Sequence, residues 1–370
     1  MCCPVGKCLF LSYGRLYLSD VAVTNYPTLS GQPPLVIAHR GASGYLPEHT
    51  LEAYNLAIEL GADFIEPDLV STYDGVLIAR HEPNLIETTN VSEIPKFADR
   101  HRTVEIDGQK VEGFFSHDFT LAEIKELRAR QPRSYREQSY NDRFFIPTLQ
   151  DILDLVQQVE ADTGHKVGIY PETKHPTYFD RLGLPLEEPL IQILVEHHFT
   201  DPNRVFIQSF EVSNLKDKLI PLMAEHHIPL PLVQLCDALH LQPYDFTMNG
   251  DSRTYGDLIH ADSPNNFVSA YASAIGPWKR SIVLAEPIHS SQPNTQAATE
   301  CLTGEITPII THAHNAGLAV HAYTFRNESH FLALDYQDNP IAEYQQFYQL
   351  GIDAVFSDFP DTALKARTIP

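Results

Sequence analysis

From residue 35 onward, short apolar runs alternate with amphipathic stretches, the order in which strands and helices follow one another in a parallel sheet. Strand-like runs fall at 35–39, 63–69, 167–172, 204–209, 230–235, 270–275, 318–324 and 353–357. Eight is the number that closes a barrel, so the fold class expected is α/β, a (β/α)8 TIM barrel. The intervening helices carry their own signals. Thr50 caps a helix whose Leu51, Tyr54 and Ile58 share a face and which Gly61 stops. Thr148 opens another, with Leu149, Ile152, Leu153, Val156 and Val159 along one apolar side. Thr120 and Glu123 form a capping-box pair ahead of a third, from Leu121 to about Arg128.

Two stretches depart from a minimal barrel. Tyr73-Asp74-Gly75 is a turn signal before another strand-like run at 76–80, which predicts a hairpin extending the second strand and returning to its end. Residues 82–145 then intervene before the next barrel helix. That is too long for a simple connection, and it predicts a small insertion subdomain over the C-terminal mouth, where barrels of this type carry their active sites. Residues 1–33, ending at the Pro33-Pro34 pair, read as an arm ahead of a barrel domain spanning 34–366.

Charge and composition narrow the partners. With 48 acidic against 26 basic residues the formal net charge is −22, which repels polyanions; no basic stripe is present, and nucleic acid is not expected as a partner. No run of about 18 apolar residues occurs, so no integral membrane segment is expected. The first thirty residues lack a basic segment followed by an apolar core, which reads literally as a cytoplasmic chain; a start further upstream or a removed leader would make it periplasmic or secreted. The cysteines (Cys2, Cys3, Cys8, Cys236 and Cys301) are odd in number and contain no CxxC pair. They read as three thiols in the arm and two ordinary buried ones, not as a disulfide framework. The pairs His197-His198 and His226-His227 read as solvated helix ends, and Trp278 fits either a substrate pocket or ordinary loop packing.

The chemistry gathers at strand ends. His39-Arg40 closes the first strand and opens the run His39-Arg40-Gly41-Ala42-Ser43-Gly44-Tyr45-Leu46-Pro47-Glu48-His49-Thr50. An imidazole and a guanidinium there would face the barrel mouth, and Arg is the natural fork for a phosphate. Glu66 and Asp68 flank Pro67 at the end of the second strand and point to one face by strand alternation. Two carboxylates so close repel unless a cation lies between them, and an oxygen site of this kind suits Ca²⁺ or Mg²⁺. Pro67 cannot donate to a ladder, but its ring should point away from that site. Glu172 and Lys174 share a face at the end of the third strand and read as a third cation ligand beside a phosphate-binding lysine. His81 follows the hairpin back to the same mouth.

Taken in order, HRGASGYLPEHT, Glu66-x-Asp68, His81, Glu172-x-Lys174, Gln208-Ser209-Phe210, Tyr323-Thr324 and Phe356-Ser357-Asp358-Phe359-Pro360 resemble the glycerophosphodiester phosphodiesterases over residues 35–366, above all the bacterial periplasmic-type branch. The resemblance implies metal-dependent hydrolysis of glycerophosphodiesters to sn-glycerol 3-phosphate and an alcohol. It implies His39 and His81 as the acid–base pair and Arg40 as a phosphate clamp. Glu66, Asp68 and Glu172 would ligate one divalent cation, Ca²⁺ in preference to Mg²⁺. Lys174 would be a further phosphate contact, with Gln208, Phe210 and Tyr323 lining the substrate pocket. The expected partner is a small-molecule substrate, and the oligomeric state is left open. Two alternatives stand beside this: a related barrel phospholipase acting on lysolipid head groups, and a non-catalytic barrel that binds phosphodiesters. The first would need an apolar rim, whereas the insertion offers Lys96, Arg100, His101, Arg102 and Lys110 among acidic residues and no extended apolar helix. The second would be signalled by loss of a site residue, and all are present.

Overall fold

The structure is a computed structural model that describes residues 26–259, 267–288 and 297–368; Cys2, Cys3 and Cys8 lie outside the described residues. Its strands are β1 (Leu35–His39), β2 (Phe64–Glu66), β3 (Asp68–Ser71), β4 (Leu77–Ala79), β5 (Arg102–Ile106), β6 (Gln109–Gly113), β7 (Gly168–Ile169), β8 (Glu172–Thr173), β9 (Ile207–Ser209), β10 (Leu232–Cys236), β11 (Ala274–Pro277), β12 (Val283–Pro287), β13 (Glu300–Ile306), β14 (Ala319–Phe325) and β15 (Ala354–Ser357).

Parallel pairing runs from β1 to β2, on to β7 and β8, then through β9, β10, β11 and β14 to β15, which pairs back onto β1. The eight positions therefore close a ring, the expected TIM barrel. Two of them are split. The second strand breaks at Pro67 and the third at Tyr170-Pro171, because proline has no N–H to give a ladder. Register survives both breaks: Phe64 lies opposite Gly168 and Asp68 opposite Glu172. Other boundaries move for similar local reasons. The fifth strand starts at Leu232, beyond Pro229 and Pro231. The sixth starts at Ala274, since Ser273 is where the backbone first reaches β10, through its N–H to the Leu232 carbonyl at 2.9 Å, and 268–270 is a short 3-10 turn.

Inside the ring, Ile37, Phe64, Tyr170, Val233, Ala274, Ala354 and Phe356 fill the barrel, while a larger apolar layer packs between sheet and helices. Gly168 is required here, since a Cβ would lie 2.2 Å from the Phe64 ring. Helix α1 (Leu51–Glu59) is capped by Thr50, whose side chain accepts from the Ala53 N–H. Helix α2 (Leu121–Ile124) and helix α3 (Leu149–Thr163) both begin in capping boxes, Thr120 with Glu123 and Thr148 with Asp151. Helix α2 stops four residues short of the expected end near Arg128, a correction with a clear cause. The Arg128 N–H donates to Asn90 Oδ1 at 2.8 Å and its carbonyl accepts from the Asn90 N–H at 3.1 Å, drawing the chain out of the helix.

The hairpin β3–β4 is antiparallel, as the turn signal implied. The insertion contributes the ribbon β5–β6 and short 3-10 turns. A second ribbon, β12–β13, stands between β11 and β14 and was not anticipated from the sequence. Before β1, the chain from Tyr26 is held against the barrel, with the Tyr26 hydroxyl donating to the Arg367 carbonyl at 3.1 Å and the Leu29 N–H to Asp353 at 2.7 Å. Cys236 is buried, but Cys301 on β13 is only partly so, unlike the expectation for both. Among the described residues no helix is long and apolar enough to cross a membrane.

Candidate active site

The unbroken register brings three carboxylates together at the C-terminal mouth. Glu66 ends β2, Asp68 begins β3, and Glu172 lies opposite Asp68 on β8. One oxygen from each lies within 4.8 Å of the others, and all three side chains are buried. Burial, followed by repulsion from Asp68 and Glu172, raises Glu66 well above the usual carboxyl range. Burial and the Asp68 charge push Glu172 up to about 8 against the opposing pull of Lys174. Asp68 is held well below its usual range although burial opposes this, because Lys174, His49 and Arg40 surround it. Asp68 Oδ1 and Gln208 Oε1 are buried without a hydrogen-bond partner. Three crowded carboxylates plus two orphaned oxygens are a donor set that fits a hard divalent cation.

Around this cluster the sequence-predicted residues converge. The Arg40 backbone N–H donates to Glu66 at 2.8 Å, from a left-handed conformation (φ 59°). Its guanidinium binds both oxygens of Glu48 at 3.1 Å, and its Nε stands 3.3 Å from Asp68 without the alignment of a hydrogen bond. Lys174 Nζ lies 2.8 Å from Glu172. Gln208 donates to Glu66 at 3.0 Å and so holds a carboxylate as well as lining the cavity. Phe210 and Tyr323 meet edge to face with centroids 6.0 Å apart.

Each candidate acid–base histidine gives Nδ1 to a carboxylate. His39 Nδ1 lies 2.6 Å from Asp358, and His81 Nδ1 lies 2.9 Å from Glu82. That pairing fixes the tautomer with Nε2 unprotonated and free to meet a ligand. Burial, then the Arg40 charge, lowers His39 to about 3 against the pull of Asp358. The same two causes lower His81 to about 4, although 32% of its side chain remains open. Both imidazoles are therefore neutral near pH 7.

Several functional side chains were not singled out by sequence reasoning. Asp358 also accepts from Arg136 of the insertion at 2.6 Å and from Arg326 at 2.9 Å. Glu82 reaches on to His175 at 3.1 Å, and His175 to Asp107 of the β5–β6 turn at 2.5 Å. His49, fully buried, joins Asp68 at 2.9 Å to the Tyr54 hydroxyl at 2.7 Å. His49 and Asp358 lie inside quoted motifs, and the His-Glu dipeptide at 81–82 was the available signal for Glu82. These partners stand behind one cavity of about 460 Å³, whose walls include His39, Arg40, Glu66, His81, Glu172, Lys174, Gln208, Phe210 and Tyr323. Trp278 stands on its rim and is 40% exposed. The His197-His198 and His226-His227 pairs sit at helix ends, and the acidic triad is the one metal-competent group among the described residues.

Comparison with known proteins bears on this geometry. The profile of the glycerophosphoryl diester phosphodiesterase family matches residues 39–362. The chain is 35% identical to glycerophosphodiester phosphodiesterase GDPD6 of Arabidopsis thaliana, covering 96% of this chain and 91% of that one. It is 31% identical to the glycerophosphodiester phosphodiesterase of Haemophilus influenzae, covering 90% and 89%. Two solved structures share the fold at lower identity. One is the Agrobacterium tumefaciens glycerophosphodiester phosphodiesterase (TM-score 0.52, 19% identity, 90% and 99% covered). The other is an Oleispira antarctica phosphodiesterase in complex with the product sn-glycerol-3-phosphate (TM-score 0.53, 18% identity, 92% and 98% covered). With the profile spanning the barrel from His39 to past Asp358, and relatives matched over nearly their whole length, the chain belongs to the glycerophosphoryl diester phosphodiesterase family and is a phosphoric diester hydrolase.

Proposed function

We propose that the cavity hydrolyses glycerophosphodiesters to sn-glycerol 3-phosphate and an alcohol, with His39 and His81 exchanging protons and Glu66, Asp68 and Glu172 holding one divalent cation, Ca²⁺ in preference to Mg²⁺. The observation that carries this reading is the single cavity in which two carboxylate-oriented imidazoles flank a buried acidic triad. A bound cation supplies positive charge for the phosphoryl oxygens. Arg40 and Lys174 add fixed positive charge beside it and orient the phosphate. The all-oxygen donor set suits Ca²⁺, which tolerates varied geometry.

Among the described residues no Ser or Cys lines the cavity, and the first nucleophile is assigned to the substrate. The glycerol C2 hydroxyl attacks phosphorus and the bond to the departing alcohol breaks, closing a five-membered cyclic phosphate. One neutral histidine takes the hydroxyl proton, and the other gives a proton to the alcohol oxygen. A phosphodiester anion beside that second imidazole favours its charged form, offsetting the downward push of burial and the Arg40 charge. Water then opens the ring with the histidine roles reversed. Such intramolecular attack can be worth an effective molarity of about 10⁵–10⁸ M.

The test is a turnover screen over glycerophosphodiesters and lysolipids with Ca²⁺, Mg²⁺ or chelator, including an analogue lacking the C2 hydroxyl. The expected result is cleavage of soluble glycerophosphodiesters with Ca²⁺ and almost none of the deoxy analogue. Preferential cleavage of lysolipids would overturn the substrate assignment. Brisk cleavage of the deoxy analogue would replace the cyclic route with direct attack by water.

A further inference from the structure

The cavity has a second charged end that the hydrolysis chemistry does not use. Across the ring from the acidic triad, its wall carries Lys279 and Arg280, just past β11, and Arg326, just past β14, the last sharing the Asp358 carboxylate with His39. The carboxylates that partner them mostly stand behind. Glu343 is fully buried and binds Lys279 at 2.8 Å and Arg280 at 2.9 Å, yet it is not part of the wall. Asp358, likewise outside the wall, takes Arg326 through Nε at 2.9 Å. Among the described residues only the Glu300 carboxylate lines the cavity on this side, and it is tied to Arg280 Nε at 2.5 Å.

Donors are left over. Arg280 keeps only 2% of its side chain exposed, and its Nη1 has no hydrogen-bond partner among the described residues. An unpaired buried guanidinium N–H is costly unless something meets it. Among the described residues Arg326 hydrogen-bonds through Nε alone, and its guanidinium lies 4.5 Å from the Phe331 ring. Two aromatic faces of the cavity already carry protein cations, Phe331 with Arg326 and Phe210 with Lys174 at 5.7 Å. A quaternary ammonium placed beside Lys279, Arg280 and Arg326 would meet like charge.

We propose that this end is an anion subsite for the leaving alcohol, so that the enzyme favours glycerophosphodiesters whose alcohol carries its own carboxylate or phosphate. The inference rests on the phosphodiesterase reading of the site, and it is specific to the side chains of Lys279, Arg280 and Arg326. Within a chain of net charge −22, concentrating cations on one cavity wall draws an anionic head group to this place and not to the surface at large.

The test is calorimetric binding, in chelator to stop turnover, of four ligands sharing the glycerophosphoryl end. Their alcohols are choline, glycerol, glycolate and glycerol phosphate; the last two distinguish carboxylate from phosphate recognition. The shared end cancels in the ratios. At least one anionic ligand should bind tenfold or more tighter than the glycerol-headed one, with choline weakest. Equal binding, or choline binding tightest, overturns the proposal. Arg280→Gln should lower the anionic-to-neutral ratio about tenfold, and an unchanged ratio in a folded variant also overturns it. Should that variant fail to fold, Lys279→Gln and the wild-type order decide. Hydrolysis of the same four with Ca²⁺ tests the parent reading separately, since binding order is measured without turnover.

Discussion

At the scale of single residues, His39 and His81 are distinguished from the other histidines by the cavity they border and by the carboxylate each holds at Nδ1. On the proposed mechanism, replacing either with Ala removes proton transfer while leaving the acidic triad and Arg40 in place. A loss in kcat of about 10²–10⁴-fold is expected, the usual scale for general acid–base catalysis. Steady-state kinetics on a folded variant checks it, and a kcat near wild type would remove that histidine from the mechanism. Glu172→Gln keeps the shape of the side chain but removes a charge from the triad. Calorimetric titration with Ca²⁺ should show about tenfold or greater weakening, and unchanged affinity would place the cation elsewhere. His39 and Glu172 were legible because they fall at the mouth ends of barrel strands, where alternation fixes a face, and His81 because it follows the hairpin, all within motifs that resemble a known family. Their partners were less so. Asp358 is 319 positions from His39, and Arg136 is 222 from Asp358, so only closure of the barrel and folding of the insertion bring them into contact.

At the scale of elements, periodicity and capping located the strands and the three marked helices, while prolines and side-chain competition set their ends. Pro67 splits the second strand yet leaves Asp68 opposite Glu172, which is why an unusual residue between two ligands is tolerated. The β12–β13 ribbon was missed because it lies outside the barrel and lacks a repeat to mark it. The insertion was legible only as a length, and its consequence is tertiary. Arg136 is buried and carries three contacts, to Asp358 and Glu328 at 2.6 Å each and to the Ser43 carbonyl at 3.1 Å. Arg136→Ala would leave Glu328 and Asp358 short of a countercharge. Breaking a buried pair costs about 3–5 kcal/mol, and chemical denaturation should show destabilisation on that order. Losing a positive neighbour also makes His39 easier to protonate, so the acidic limb of the kcat profile should move to higher pH. A variant with an unmoved limb would show that the insertion does not act through Asp358.

At the scale of the whole molecule, the barrel followed from the pattern of the chain, and the profile match over 39–362 agrees with the barrel and its family. What the pattern could not supply is electrostatic. Burial and the Asp68 charge, against Lys174, push Glu172 up to about 8 from an ordinary 4.5. Between those values the folded, cation-free protein holds a proton that the unfolded chain has released. Stability without cation should therefore fall as pH rises through that window. A divalent cation displaces the proton, so the gain in melting temperature on adding Ca²⁺ should be larger at pH 8 than at pH 5. A gain independent of pH would mean that the triad is not where the ion binds. The most direct measurement of the central claim is phosphorus NMR of a glycerophosphodiester incubated with the protein and Ca²⁺, followed by excess chelator. The expected record is growth of the sn-glycerol 3-phosphate resonance that stops on chelation and resumes when Ca²⁺ is restored, whereas cleavage continuing unchanged in chelator would contradict a hydrolase built on Glu66, Asp68 and Glu172.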